Sequence, residues 1–284
     1  MSWLRHQADT RTLAYMLIAT SIPVVHWHMD TLNVWLLAVS VVMAFAISAM
    51  HHNHQHLPLW KLPFLNRLTD GWYVLFQGHP GFVFDPMHVN NHHRYHNGPA
   101  DHTRTWRRRD SNNVLGLLVH SFEFVAVALP HIAQHAKDMY QNDRAAFARV
   151  CEQYMLLIAV DAMLLALDAG RAFYCVLVPQ VAALFFLLTS NYLQHAHTDG
   201  SSKFNHSRNF LGLINPLCFN VGYHSAHHFD STKHWSELPA LHRAIAPDIA
   251  PLLNEKSFGW YCLRVFVLSV VMRRFRSAPM LKEV

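Results

Sequence analysis

Charge is scarce in this sequence. Only 14% of its 284 residues are Asp, Glu, Lys or Arg, where a soluble domain carries about a quarter. With 52% of the chain hydrophobic, that shortage argues against an ordinary water-soluble globule. Mean hydropathy is nevertheless only +0.08, so a substantial polar portion lies in water. Cysteine is sparse too: Cys151, Cys175, Cys218 and Cys262 are widely spaced, form no CxxC and have apolar neighbours. They read as small buried thiols, which argues against a disulfide framework or a thiolate metal site. The chain carries no HExxH, no flavin, haem or ferredoxin motif, and no nucleic-acid recognition motif. No repeat or low-complexity segment stands out. The basic excess of +5 therefore points to an anionic membrane surface rather than to nucleic acid.

What the chain has instead is long apolar runs. A bilayer core of ~30 Å takes about 20 apolar residues in a helix, and four runs qualify: 12–29, 32–50, 152–169 and 172–190. Short linkers at Asp30–Thr31 and Gly170–Arg171 make each pair a helical hairpin. The first run is too long and weakly flanked for a cleaved signal peptide. Residues 51–150 and 191–284 each hold ten Lys or Arg, and the tight turns hold only Arg171. The positive-inside rule therefore expects both long segments and both termini in the cytoplasm. The mixed stretches 72–84, 113–130 and 258–272 are expected to lie along the interface, because His120 and Glu123 make crossing costly for the second of them. The expected fold is all-α and integral to the membrane: one domain over 1–284, four spans in two hairpins, and a cytosolic helical cap of 51–150 and 191–284 holding a His-rich di-metal site.

Histidine is the anomaly, at 24 residues, and it is clustered. MHHNHQH (50–56) follows the second span directly. His52 and His56 are four apart and share a helix face, whereas His51 and His54 point elsewhere. HVNNHHRYH (88–96) repeats the spacing with His88 and His92. Adjacent His93 points about 100° away, so the pair can serve different metals, and His96 is a further candidate. GYHSAHH (222–228) supplies His224, His227 and His228. NYLQHAH (191–197) continues the last span, with Asn191 and His195 on one face and His197 on another. Each group alone is compatible with polar helix tips. Together, eight to ten histidines at membrane ends on one side imply two metals of the kind imidazole suits, among them iron, zinc, copper and nickel.

These boxes resemble those of the membrane fatty acid desaturase/hydroxylase superfamily, whose members carry three histidine boxes around two non-haem irons. The matching words are HNHQH (52–56), HVNNHH (88–93) and HSAHH (224–228), and Asn191-x-x-x-His195 resembles the extra pair on the last span of acyl desaturases. LNRLTDGW, DHTRT and HWSELPALH look like a bacterial branch. The resemblance spans roughly 30 to 240 and implies His52, His56, His88, His92, His93, His195, His224, His227 and His228 as iron ligands. Asn191 completes the set, through water or directly. His54, His96, His197 and Asp199 stand as further ligands or supporting groups.

The implied chemistry is O2-dependent oxidation of a fatty acyl chain, with two Fe and O2. Desaturation is the leading reading; hydroxylation or decarboxylation to a 1-alkene would use the same site. The substrate is free, carrier-protein-bound, coenzyme A-bound or lipid-linked. Electrons come from a separate ferredoxin-type or similar donor, and the protein sits among lipids of a bacterial inner membrane. Partners for the ligand rings are sought among Asp85, Asp199, Asp230 and Glu237. Asp161 is the one acid deep in a span, where a Ser, Thr or Gln of a neighbouring helix is its expected partner. The basic run RTWRRRD (104–110) suits lipid headgroups, an acyl carrier's phosphate or an acidic donor. A metal transporter or sensor is the different-class reading, and it requires ligands inside the spans.

Overall fold

The computed structural model describes residues 3–280 and is mostly helical, with almost no strand. By internal contacts the chain divides into two compact units, one made of residues up to Phe84 with Ala133–Leu187, the other of Asp85–Ile132 with the chain from Leu188 on.

In the first unit α1 (Thr10–Trp27) packs on α2 (Val34–His56), α2 on α3 (Pro63–Gln77), and α3 on α6 (Arg144–Leu167). α7 (Ala169–His195) starts in this unit, and its π-wound turn Phe173–Leu177 packs on α1 and α2. Local chemistry sets the ends. Asn33 caps α2 by accepting from the Trp35 and Leu36 amides at 3.0 Å each, Asp143 caps α6 and Asp168 caps α7. Pro63 opens α3, and Gly78 closes it at φ 71, a left-handed angle that glycine adopts without strain. Buried Ala19, Ala44, Ala46, Ala49, Ala172 and Ala183 provide the small surfaces that let apolar helices approach closely. Both hairpins expected from the sequence are present.

In the second unit α4 is π-wound over Asp85–His92 and continues as His93–Tyr95. α5 (Val114–Asn142) begins here, α7 ends here, and α8 (His224–Phe229) packs on α9 (Leu238–Ile245). Asn209–Phe210 and Asn254–Glu255 form a two-residue parallel pair. α10 (Phe258–Val271) packs Tyr261 and Val265 onto Phe210.

Among the described residues, four helices are long and apolar enough to cross a membrane: Val34–His56, Val114–Asn142, Arg144–Leu167 and Ala169–His195. The number matches expectation, but the membership does not. α1 falls short because Thr10, Arg11, Thr20, Ser21, Pro23 and His26 dilute its apolar content. α5 outgrows the interfacial stretch expected at 113–130, because the helix carries on through Pro130 to Asn142. Its costly Glu123 is paired with Arg108 and its His120 is buried. Topology limits α5 nonetheless. Side chains from before α5 and after α7 meet in the second unit (below), so they share one side of any membrane. An even number of crossings must separate them, and α5, α6 and α7 therefore do not all cross.

Candidate metal centre

His92, His195, His224 and His228 converge in the second unit, all four buried, with one ring nitrogen of each within 4.8 Å of the others. Their Nε2 atoms form a chain: His92 to His195 at 3.1 Å, His195 to His224 at 2.9 Å, His224 to His228 at 3.1 Å. The other side of two rings explains the geometry. His92 Nδ1 donates to Asp101 Oδ2 at 2.7 Å, and His195 Nδ1 donates to the His206 carbonyl at 2.8 Å. Those acceptors assign the Nδ1–H tautomer, so the inward Nε2 atoms carry lone pairs. Lone pairs aimed at one another from about 3 Å repel; a cation between them turns that repulsion into ligation.

Asp101 is 0% exposed and is held from three further directions, by the Asn97 and Thr103 amides at 2.7 Å each and the Thr103 hydroxyl at 2.8 Å. Burial alone would raise its carboxyl. His92 and the surrounding donors more than offset that, leaving it well below the ordinary carboxylate range. His228 is lowered as well, but by burial first and then by neighbouring His93 and His224, so the ring is neutral and ready to ligate.

A second group in the same unit joins His88, His93 and His227, with His93 Nε2 3.0 Å from His88 Nε2 and 3.1 Å from His227 Nε2. Here the sequence expectation needs correcting. In α geometry His88 pairs with His92, four residues on; the π winding of Asp85–His92 has a longer period, and His88 meets His93, five on. His92 is thereby freed for the other group. The consecutive pairs His92–His93 and His227–His228 each send one ring to each group, and this fixes the two groups side by side. On α2, in the first unit, His52 and His56 stand one turn apart with ring centroids at 4.8 Å.

The remaining candidates sit elsewhere. His54 accepts from the Leu59 amide and faces Asp70 at 3.2 Å, so it ties α2 to α3. His51 stacks on Tyr73. His197 Nδ1 lies 2.6 Å from the Ser277 hydroxyl, and His96 stacks on His206 at 4.6 Å. Asn191 donates to Thr103 Oγ1 at 3.3 Å, beside His92, and its Oδ1 has no partner in the protein. Asp199, Asp230 and Glu237 accept from their own turns, at Ser201, Thr232 and His234.

Sequence reasoning missed two residues. Asp101 was visible as Asp-x-Thr in the polar segment after the second box, an Asx-type signature of a side chain bonded to local backbone. His206 carried no spacing signal. Its carbonyl orients His195, and its buried ring, beside His96, is pushed down to about 4.

A fatty acid desaturase family model matches residues 30–262, more than half of the chain. No curated protein matches it.

Proposed function

The chain belongs to the fatty acid desaturase family, and from that premise we propose that it oxidises an aliphatic acyl chain with O2 at two non-haem irons, by desaturation. Membership makes it a membrane oxidoreductase of fatty acyl chains, and the family is generally di-iron. The observation that carries the reading is the convergence of four buried imidazoles, two of which, His92 and His195, turn their Nε2 lone pairs inward through outward Nδ1–H bonds. The donor set fits iron: it is all imidazole, with no thiolate to favour zinc. We assign His92, His195, His224 and His228 to one iron. His88, His93 and His227, joined by His52 and His56 of the first box, take the other, and Asn191 serves the first through water. The family match runs through both compact units, so we treat 1–284 as one functional domain.

When bound, the irons would supply the oxidising power that no side chain has. The protein's share is position and exclusion of water. Asp101 and the His206 carbonyl hold two ligand rings in one tautomer, so metal binds without a ring having to reorganise. In the first unit a cavity of about 320 Å³ runs between α1, α2, α6 and α7, walled by residues such as Ala44, Ile47, Leu164 and Pro179. It has the apolar lining an acyl tail needs. The one acid in its lining, Asp161, accepts from Gln180 Nε2 at 3.2 Å, the neighbouring-helix amide expected for it.

The donor of electrons is a separate protein, and the histidines face the cytoplasm of a bacterial inner membrane, as the Lys and Arg distribution supports. Hydroxylation or 1-alkene formation differ from desaturation only in where the chain lies. The transporter reading is disfavoured because all ten proposed ligands lie outside the apolar middle of every span, at helix ends or in the second unit's polar segments. The test is aerobic turnover of iron-loaded full-length protein with a chemical or enzymatic reductant and saturated acyl substrates, read by mass spectrometry. A product two mass units lighter supports desaturation. A hydroxylated or chain-shortened product overturns it in favour of that chemistry.

A further inference from the structure

The basic run Arg104–Arg109 has one feature outside the metal groups' needs. A second cavity, of about 130 Å³, lies at the start of α5 and is lined by Thr105, Arg108, Arg109, Ser111, Asn113 and one face of α5 that includes His120 and Glu123. Three observations give it a polarity. Arg108 is already paired with Glu123, whereas Arg109 forms no ion pair among the described residues. Asn113 accepts from the Gly116 amide at 2.9 Å, so the cavity also borders the positive end of a 29-residue helix. Independently of both, His120 in the wall is 4% exposed, and although it lies against Asn191 its Nε2 closes no well-formed hydrogen bond in the protein. A buried ring nitrogen left so poorly bonded is costly unless what fills the cavity bonds it.

The cavity also borders the metal groups. Thr105 in its wall lies 3.3 Å from the His195 carbonyl. His120 lies against Asn191, which bonds Thr103 beside His92. One side chain separates the cavity from the proposed ligands on either route.

Resting on the acyl-oxidation reading, we infer that this cavity binds the carboxylate of a free fatty acid, with Arg109 and His120 as its two anchors. The choice among acyl forms follows from charge and size. A thioester offers no anion at that end. A phosphopantetheine arm does not fit in a space of about 130 Å³, room for only a few waters at ~30 Å³ each. A carboxylate does fit, and it takes a charge-assisted bond from the guanidinium and a second from the His120 N–H. Gly116 lets Tyr192 and Ser111 close on the start of the helix beside the cavity: a Cβ there would lie 2.2 Å from the Tyr192 hydroxyl and 2.4 Å from Ser111 Oγ.

The test measures binding to detergent-purified, iron-loaded full-length protein, by displacement of a fluorescent fatty acid. The competitors share one chain: dodecanoate, dodecan-1-ol, dodecyl phosphate and the coenzyme A thioester. The inference expects dodecanoate to bind at least about tenfold more tightly than the alcohol and the thioester, the worth of one charge-assisted bond. In Arg109→Gln and, separately, His120→Phe, that preference falls to within about twofold of the alcohol, with iron content unchanged. Arg109 is exposed, so its variant folds even if the His120 variant does not. Equal binding of acid and alcohol, or a preference that survives Arg109→Gln, overturns the inference. Tighter binding of dodecyl phosphate assigns the cavity to a phospholipid headgroup and overturns it too. Iron assay of the same preparations separates the two failures, since a chain without iron sinks the oxidation reading while the acid preference is read on its own.

Discussion

Replacing Asp101 by Asn exchanges one carboxylate oxygen for an NH2 group and should disable one metal group out of two. The carboxylate takes four bonds, two at each oxygen: His92 Nδ1 and the Asn97 amide at Oδ2, and the Thr103 amide and hydroxyl at Oδ1. An amide has one acceptor end. Whichever way it turns, its NH2 faces a backbone N–H that has lost its acceptor, and the other group at that end must invert its role. If the NH2 points at His92, the ring keeps its bond to residue 101 only by switching to the Nε2–H tautomer, which aims a proton where the metal lone pair was; the Thr103 hydroxyl, 3.0 Å from Nδ1, is that nitrogen's other partner. One or two orphaned buried donors at about 1–3 kcal/mol each give a destabilisation of roughly 1–6 kcal/mol. Loss of a ligand's supporting partner costs about 10–100-fold in metal affinity, and the tautomer switch adds to that. Iron per chain and Mössbauer spectra of the Asp101→Asn protein check this against the unchanged chain. The expected result is preferential loss of the iron held by His92, His195, His224 and His228, with the other retained. Equal loss of both irons, or full retention at limiting iron, would refute the argument that Asp101 sets the His92 tautomer.

Three other outcomes follow from the same geometry. His228→Ala and His227→Ala, neighbours in sequence, should empty different sites, giving two distinguishable one-iron spectra; identical spectra would refute the split. In metal-free protein, stability should fall as pH drops from about 6.5 towards 4. His206 has a folded value of about 4 against 6.5 unfolded, so the unfolded chain binds the extra proton throughout that window. The loss from His206 alone approaches on the order of 3 kcal/mol at the acid end, His228 adds loss of the same sign, and a midpoint denaturant concentration independent of pH over this range would contradict it. Finally, Ala44→Phe fills the apolar cavity from α2 and should shift the preferred substrate to shorter chains while leaving iron content intact. An unchanged chain-length profile would show that the tail lies elsewhere.

Much of this was legible in the sequence because the apolar runs and the boxes are local patterns. Asn33 and Asp168 cap helices that the hydropathy had already outlined, and HSAHH is a helix turn whose rings point where an i, i+3, i+4 pattern sends them. The π winding at Asp85–His92 was not legible. A 3.6-residue period places His88 over His92, whereas the π winding places it over His93. His54 and His197 lie in words as histidine-rich as the ligands, and only the positions of Asp70 and Ser277 show that they bond elsewhere. Asp101 was passed over because an acid is exposed by default, and its burial depends on four donors brought together by a turn. α5 was cut short at Pro130, where the helix continues with one backbone donor fewer.

The central claim is two irons in imidazole sites of this chain. The measurement that tests it most directly is metal analysis of detergent-purified, iron-supplied full-length protein with its Mössbauer spectrum. The account predicts about two irons per chain in non-haem, nitrogen-rich sites. Zinc in their place, or a chain that stays metal-free despite iron supply, would contradict it.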